Sequence, residues 1–248
     1  SIDVQGSSQS SHVVVKVTAA ERQGWDLSTG GVSRSARLVA TVPVESEVRL
    51  HSGDGSVRVE RVRGVIDARS LDGRIVMREV GGEVVADSGD GSVQVEDLDG
   101  RCTVSTRDGS VLVTGRLRGP ISARSGDGSV TVRAFEGSAV SGDWTFETGD
   151  GGVLLALPEQ LDARLDLRTD DGRITLHGFP DLPVEGEGDG RRLLGVLGSG
   201  EGQVRIRTGD GSITLKRSYM PAPPEPPSPP APPEPPAPPA PPAPPTER

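Results

Sequence analysis

Eight aspartates stand directly before a glycine in variants of one six-residue phrase. SGDGSV occupies 52–57, 88–93 and 125–130, and looser copies place Asp72, Asp108, Asp150, Asp171 and Asp210 in the same position. Carboxylates placed this regularly could hold cations, so calcium is the first chemistry to weigh. Calcium-binding β-roll repeats need a Gly-Gly lead and an Asp after two alternate glycines. Here the Asp precedes the second glycine and no Gly-Gly pair leads into it, so the register does not fit. Aspartates in turns ordinarily cap backbone N–H groups, and that structural role is the expectation. If the repeats stack at the strand spacing of about 4.8 Å, Asp54, Asp72, Asp90, Asp108 and Asp127 form a column of like charges. Such a column takes up cations weakly and without selectivity, with arginines such as Arg74 and Arg107 offsetting part of the repulsion. These five are the candidate cation ligands; no selective metal site and no cofactor is expected.

Enzyme chemistry is the second possibility. β-Helical polysaccharide lyases and hydrolases work with paired carboxylates or with carboxylate and arginine. A catalytic cluster should interrupt the repeat, and two segments do: GDWTFET at 142–148 and EGEGDGRR at 185–192. They supply Asp143, Glu185 and Asp189 as candidate carboxylates. Trp144 and Phe146 have two readings, a sugar-stacking platform or core filling on an alternating strand, and core filling is favoured. His12, His51 and His177 lack metal-ligand spacing. No G-x-S-x-G and no Cys/His nucleophile arrangement occurs. A catalytic residue set is therefore not expected.

The elements that must carry these residues follow from the spacing. From Asp54 to Asp127 the Asp-Gly pairs recur at intervals of 18, 18, 18 and 19 residues, with weaker glycine corners halfway, at Gly64, Gly82, Gly100 and Gly119. The unit is nine residues long and two units make a coil. In each unit glycine is second, apolar residues hold the fourth and sixth places, and the fifth varies. Such alternation predicts a short strand with one buried face. The chain turns at Gly55, Gly73, Gly91, Gly109, Gly128, Gly151, Gly172 and Gly211. Cys102 falls at an inward fourth place and reads as a small buried hydrophobe.

Asp-Gly between alternating strands also signals hairpins, so an antiparallel meander competes with a solenoid. Two observations favour the solenoid. The small sixth-place residues Ala68, Ala86 and Ala123 all fall in the same half of the coil. Outward residues 18 apart alternate in sign, as Glu60, Arg78 and Glu96 in one column and Arg69 and Asp87 in the other. The expected fold is all-β, a β-solenoid of about 18-residue coils built from two nine-residue strand-turn units.

Domain organisation reads as an N-terminal β cap with lead-in strands over 1–52, solenoid repeats over 53–217 with an irregular insertion near 179–202, and a Pro-rich tail over 218–248. Two lead-in strands are expected, HVVVKV at 12–17 and ARLVATVPV at 36–44. The tail holds 17 of the 22 prolines and reads as a polyproline II spacer. A net charge of −9 without a basic stripe argues against nucleic acid as a partner. No run of 18 apolar residues offers a membrane span. The sequence starts at Ser1 rather than Met and reads as a processed form or an excised piece, so the lack of a signal peptide in it leaves its address open.

The repeated [ST]-G-D-G-S-[VI] corners, ending in RTGDGSITLKR at 207–217, resemble the bacterial β-strand-repeat “adhesin” family, a family of unknown function. The resemblance covers about 36–217. It implies a β-solenoid-like fold, an extracytoplasmic place in the bacterial cell envelope, and no enzyme activity. The functional expectation is a non-catalytic, envelope-associated scaffold or adhesin-like binding module. Its partners would be surface polysaccharide or an envelope protein, and self-association is compatible with the repeat. The alternatives are a carbohydrate-active β-helix enzyme and a regulatory envelope-stress component that docks a membrane partner.

Overall fold

The structure, a computed structural model, describes residues 2–9, 12–19, 38–180, 182, 184–186 and 190–218. The Pro-rich tail expected over 218–248 lies outside the described residues from position 219 onward, as does Asp189. The chain divides into two units, Ser1–Pro43 and Val44–Arg248.

In the first unit β1 (Ile2–Gln9) and β2 (His12–Ala19) pair antiparallel, in a register that runs from Ile2 opposite Ala19 to Gln9 opposite His12. The second expected lead-in strand does not form over its described residues; 36 and 37 lie outside them. Residues 38–43 have no ladder, and Leu38, Val39 and Val42 are exposed. Without burial, their alternation has nothing to hold it in a sheet.

The second unit is a β-solenoid without helices among the described residues. Its coils are two-sided. One side stacks β3 (Val48–Ser52), β5 (Arg63–Ser70), β7 (Gly81–Ser88), the second halves of β8 (Val93–Thr106) and β9 (Val111–Ser125), and β11 (Asp143–Thr148). The other stacks β4 (Val57–Glu60), β6 (Ile75–Arg78), the first halves of β8 and β9, β10 (Val130–Ala134) and β12 (Val153–Leu157). Every pair between these coils is parallel. Val48 sits beside Ile66 and Ile66 beside Val84, so neighbours are 18 residues apart. That register excludes the meander, which needs antiparallel neighbours.

Fourth- and sixth-place residues point inward from both sides and form one thin core. Ile66, Val84, Cys102 and Ile121 stack in one column and Ile75, Val93, Val111 and Val130 in another, all nearly inaccessible to solvent. Ala68, Ala86 and Ala123 lie in the sixth-place column of the first side, beside Val104 and then Phe146. The core therefore widens from alanine to phenylalanine along the axis.

After β12 the coils stop following chain order. The segment 202–217, comprising β17 (Gly202–Thr208) and β18 (Ile213–Arg217), sits next to β11 and β12. The earlier segment 163–177, comprising β13 (Ala163–Thr169) and β14 (Ile174–His177), lies beyond it. The last coil in sequence is thus intercalated between its two predecessors. The expected irregular insertion contains β15 (Val184–Gly186) and β16 (Arg192–Leu197), and β16 runs antiparallel along β13 with β15 outside it. An antiparallel cap breaks the parallel template that a bare end strand would offer to another chain.

Candidate functional site

From Gly73 onward the corners of the Asp-Gly series place a buried hydroxyl three residues before the glycine. Ser70, Ser88, Thr106, Ser125, Thr148, Thr169 and Thr208 are 1–7% exposed, the main polar side chains in an otherwise apolar interior. Thr106 Oγ1 donates to the carbonyls of Gly89 (3.1 Å) and Gly91 (2.9 Å) in the preceding coil and accepts the N–H of its own Gly109 at 3.3 Å. Ser70 and Thr208 repeat the arrangement, and Thr169 makes it across the intercalated coil, to Gly209 and Gly211. Buried polar groups are tolerable only when bonded. Here one hydroxyl satisfies its own corner and ties it to the coil before.

The corner glycines are explained by closeness rather than by unusual dihedrals. Gly73, Gly91, Gly109, Gly128, Gly151, Gly172 and Gly211 all have ordinary φ, but a Cβ on any of them would fall inside the carbonyl of the glycine stacked beneath. Gly55, in the first coil, meets only Ser52 Oγ.

The aspartates do something else. Asp54, Asp72, Asp90, Asp108 and Asp127 are all exposed. The expected capping of backbone N–H groups by these side chains is not what the structure shows, because the Ser/Thr hydroxyl already occupies the corner N–H. Asp90 lies 3.6 Å from Arg107, and among the described residues the other four make no side-chain hydrogen bond or ion pair. Among the described residues no group of three or more His, Cys, Asp or Glu could hold a metal ion. Nothing in the structure explains why aspartate rather than asparagine stands at these corners.

The enzyme candidates do not converge. Asp143 begins β11, whereas Glu185 is in β15, separated from it by β17, β13 and β16. Four strand steps amount to about 19 Å, far outside the roughly 5–9.5 Å at which two carboxylates share one glycosidic bond. Trp144 and Phe146 are fully buried with rings edge-to-face at 6.4 Å, and Trp144 Nε1 donates to Gly119 O at 2.9 Å. They fill the wide end of the core and offer sugar no platform. His51 and His177 are exposed and apart. Cys102 is buried, and loss of solvation raises its pKa from 9.0 to about 12.

What faces solvent is a pair of flat ladders whose charges pair between coils. Arg78 meets Glu96 at 2.7 Å and Arg101 meets Glu83 at 2.6 Å, each across 18 residues. Arg124 meets Glu147 at 2.9 Å. The two other expected column pairs differ. Arg69 turns to Asp67 in its own strand, Asp87 accepts the hydroxyl of Ser105, and Glu60 takes Arg58 at 3.5 Å. A partner two places along the same strand face, about 6.6 Å away against about 4.8 Å for one on the next coil, is still within reach of an arginine side chain.

Residues 3–216 match the Toastrack DUF4097 family. The chain belongs to that family. No match appears among curated proteins or solved structures. Toastrack DUF4097 is a β-repeat family of unknown function, so membership supports the solenoid and indicates no catalytic family. The adhesin label is not supported by the match.

Proposed function

We propose that this Toastrack chain is a non-catalytic scaffold or binding module that presents its outward ladders to a surface polysaccharide or an envelope protein. The observation that carries the proposal is the division of labour within the repeat. The hydroxyls, glycines and apolar residues serve stacking, whereas the seventh places carry charge (Glu60, Arg69, Arg78, Asp87 and Glu96) and the fifth places vary from Arg58 and Asp67 to Gln94 and Thr103, so that each side of the solenoid turns a long, variable face to solvent. A face of that kind binds by many weak contacts in register with a repetitive partner, and their combined strength exceeds that of any single one. An extracytoplasmic place in the bacterial envelope is part of the proposal; it rests on the resemblance of the corner phrases and on the polymers such a face would meet there.

Co-sedimentation of the chain with purified envelope polysaccharide and peptidoglycan, followed by sizing of the polymer, tests the reading. Retention with the polymer intact is the expected result. Shortened polymer would overturn the non-catalytic claim, and calcium-dependent retention would give the aspartate column a binding role.

A further inference from the structure

The charge pattern of the first side changes at its capped end. In the earlier coils an outward arginine meets a carboxylate on a neighbouring strand, as in Arg101–Glu83 and Arg124–Glu147. Beyond β11 the register instead sets Arg207 of β17 beside Arg168 of β13, and Arg168 beside Arg192 of β16. All three are exposed. Among the described residues Arg207 and Arg192 make no ion pair, and Arg168 has a contact with exposed Asp170 at 3.5 Å. Glu147, the carboxylate next to Arg207, is already engaged by Arg124. Two places back along the same strands lie Arg205 and Asp166, 3.9 Å apart, and exposed Arg164 stands two further on.

Like charges directly opposite on adjacent strands destabilise a sheet. Three in a row, in a chain of net charge −9, is an arrangement that stacking alone does not favour. Guanidinium groups are also the side chains best shaped for two-pronged binding of carboxylate or phosphate. Their spacing along the axis is that of the strands, about 4.8 Å, which suits a linear ligand carrying an anionic group on successive units. On β16 the same face continues with Leu194 and with Val196, which is 42% exposed, an apolar strip for the C–H faces of sugar rings. Among the described residues no aromatic side chain stands on this face to stack bases, as single-stranded nucleic acid would require.

From this we infer that Arg207, Arg168 and Arg192 form a binding stripe for an anionic glycopolymer, a polysaccharide whose units carry carboxylate or phosphate. The inference rests on the binding-module reading above and names its ligand class and site.

The test uses the full chain and three immobilised probes: polygalacturonate for carboxylate, a glycerol-phosphate polymer for phosphate, and neutral dextran. The wild type should bind at least one anionic probe, more weakly as salt rises, and leave dextran unbound. The triple variant R168Q/R192Q/R207Q should bind at least tenfold more weakly, with a flatter salt dependence. It should also melt no lower than wild type, because repulsion is removed and no ion pair of note is lost. A control with the same loss of charge at exposed corner positions outside the ladders, R61Q/R74Q/R118Q, should bind like wild type. Which anionic probe is retained separates carboxylate from phosphate recognition. Equal binding by wild type and the R168Q/R192Q/R207Q variant would overturn the stripe while leaving the binding-module reading intact. Equal retention on dextran would overturn the anionic ligand class, and preference for a single-stranded oligonucleotide over both polymers would overturn the glycopolymer. Failure of the wild type to bind any of these probes would overturn the glycopolymer stripe, and failure to bind any envelope polysaccharide as well would leave the binding-module reading with an envelope protein as its partner.

Discussion

Thr106→Val removes one buried hydroxyl and nothing of its shape. In the native corner that hydroxyl donates to Gly89 O and Gly91 O at 3.1 and 2.9 Å and accepts the Gly109 N–H at 3.3 Å. Valine leaves a buried donor and part of two acceptors unsatisfied, and an unsatisfied buried group costs about 1–3 kcal/mol. For a chain of this size each kcal/mol lowers Tm by roughly 2–4 °C, so a fall of about 2–12 °C is expected. Thr106→Ser keeps the hydroxyl and loses one methyl, which should cost less than about 1 kcal/mol; serine already serves at Ser70, Ser88 and Ser125. The assay is thermal unfolding by far-UV circular dichroism, paired with hydrogen exchange at the Gly109 amide. Exchange localises the effect, since stacked repeats need not unfold in a single step. Wild-type stability in the valine variant, or a serine variant as damaged as the valine one, would refute the hydroxyl-ladder account.

Gly109→Ala should cost about 3 kcal/mol or more, because the new methyl overlaps the Gly91 carbonyl and backbone cannot yield as a side chain does. Gly53→Ala has open space around it and should stay within about 0.5 kcal/mol of wild type; urea unfolding of both variants checks the contrast. Cys102 should resist alkylation in the folded chain and react on unfolding, as a mass shift after iodoacetamide treatment would show. Its folded pKa, about 12, lies above the unfolded value of 9.0, so the thiol's contribution is complete below pH 9 and is lost as pH rises toward 12. Cys102→Val should remove that part of the alkaline loss in Tm.

The coil and its register were legible because periodicity reports directly on what is buried. Glycine corners every nine residues with apolar fourth and sixth places leave few other ways to hide Val57, Ile66 and Ile75 together. The chemistry at the corner was harder to read. Aspartate drew attention as the charged member of each phrase, yet the bonded residue is the Ser or Thr two places before it. The available signal was its restriction to Ser or Thr at every corner, from Ser52 to Thr208. Coil order was not legible at all. Periodicity says which residues share a coil, not the order in which coils stack: the corners at Thr148 and Thr208 read Thr-Gly-Asp-Gly and that at Thr169 reads Thr-Asp-Asp-Gly. In the structure 163–177 lies outermost of the parallel coils, with β16 antiparallel along β13. The absent strand over 38–44 shows the converse, alternation without a surface to bury it.

Coil order underlies both the fold and the arginine stripe, and it can be measured by disulfide trapping. Leu154 is in register with Thr214, and Thr214 with Thr175. In a Cys102→Val background, the pair Leu154→Cys/Thr214→Cys therefore stands one strand spacing apart, about 4.8 Å, within the Cα separation of about 4.4–6.8 Å that a disulfide spans. The pair Leu154→Cys/Thr175→Cys is two spacings apart and outside that range. Mild oxidation should cross-link the first pair within one chain and leave the second as free thiols. Cross-linking of 154 to 175 but not to 214 would mean that the coils stack in chain order, and would contradict the intercalated solenoid.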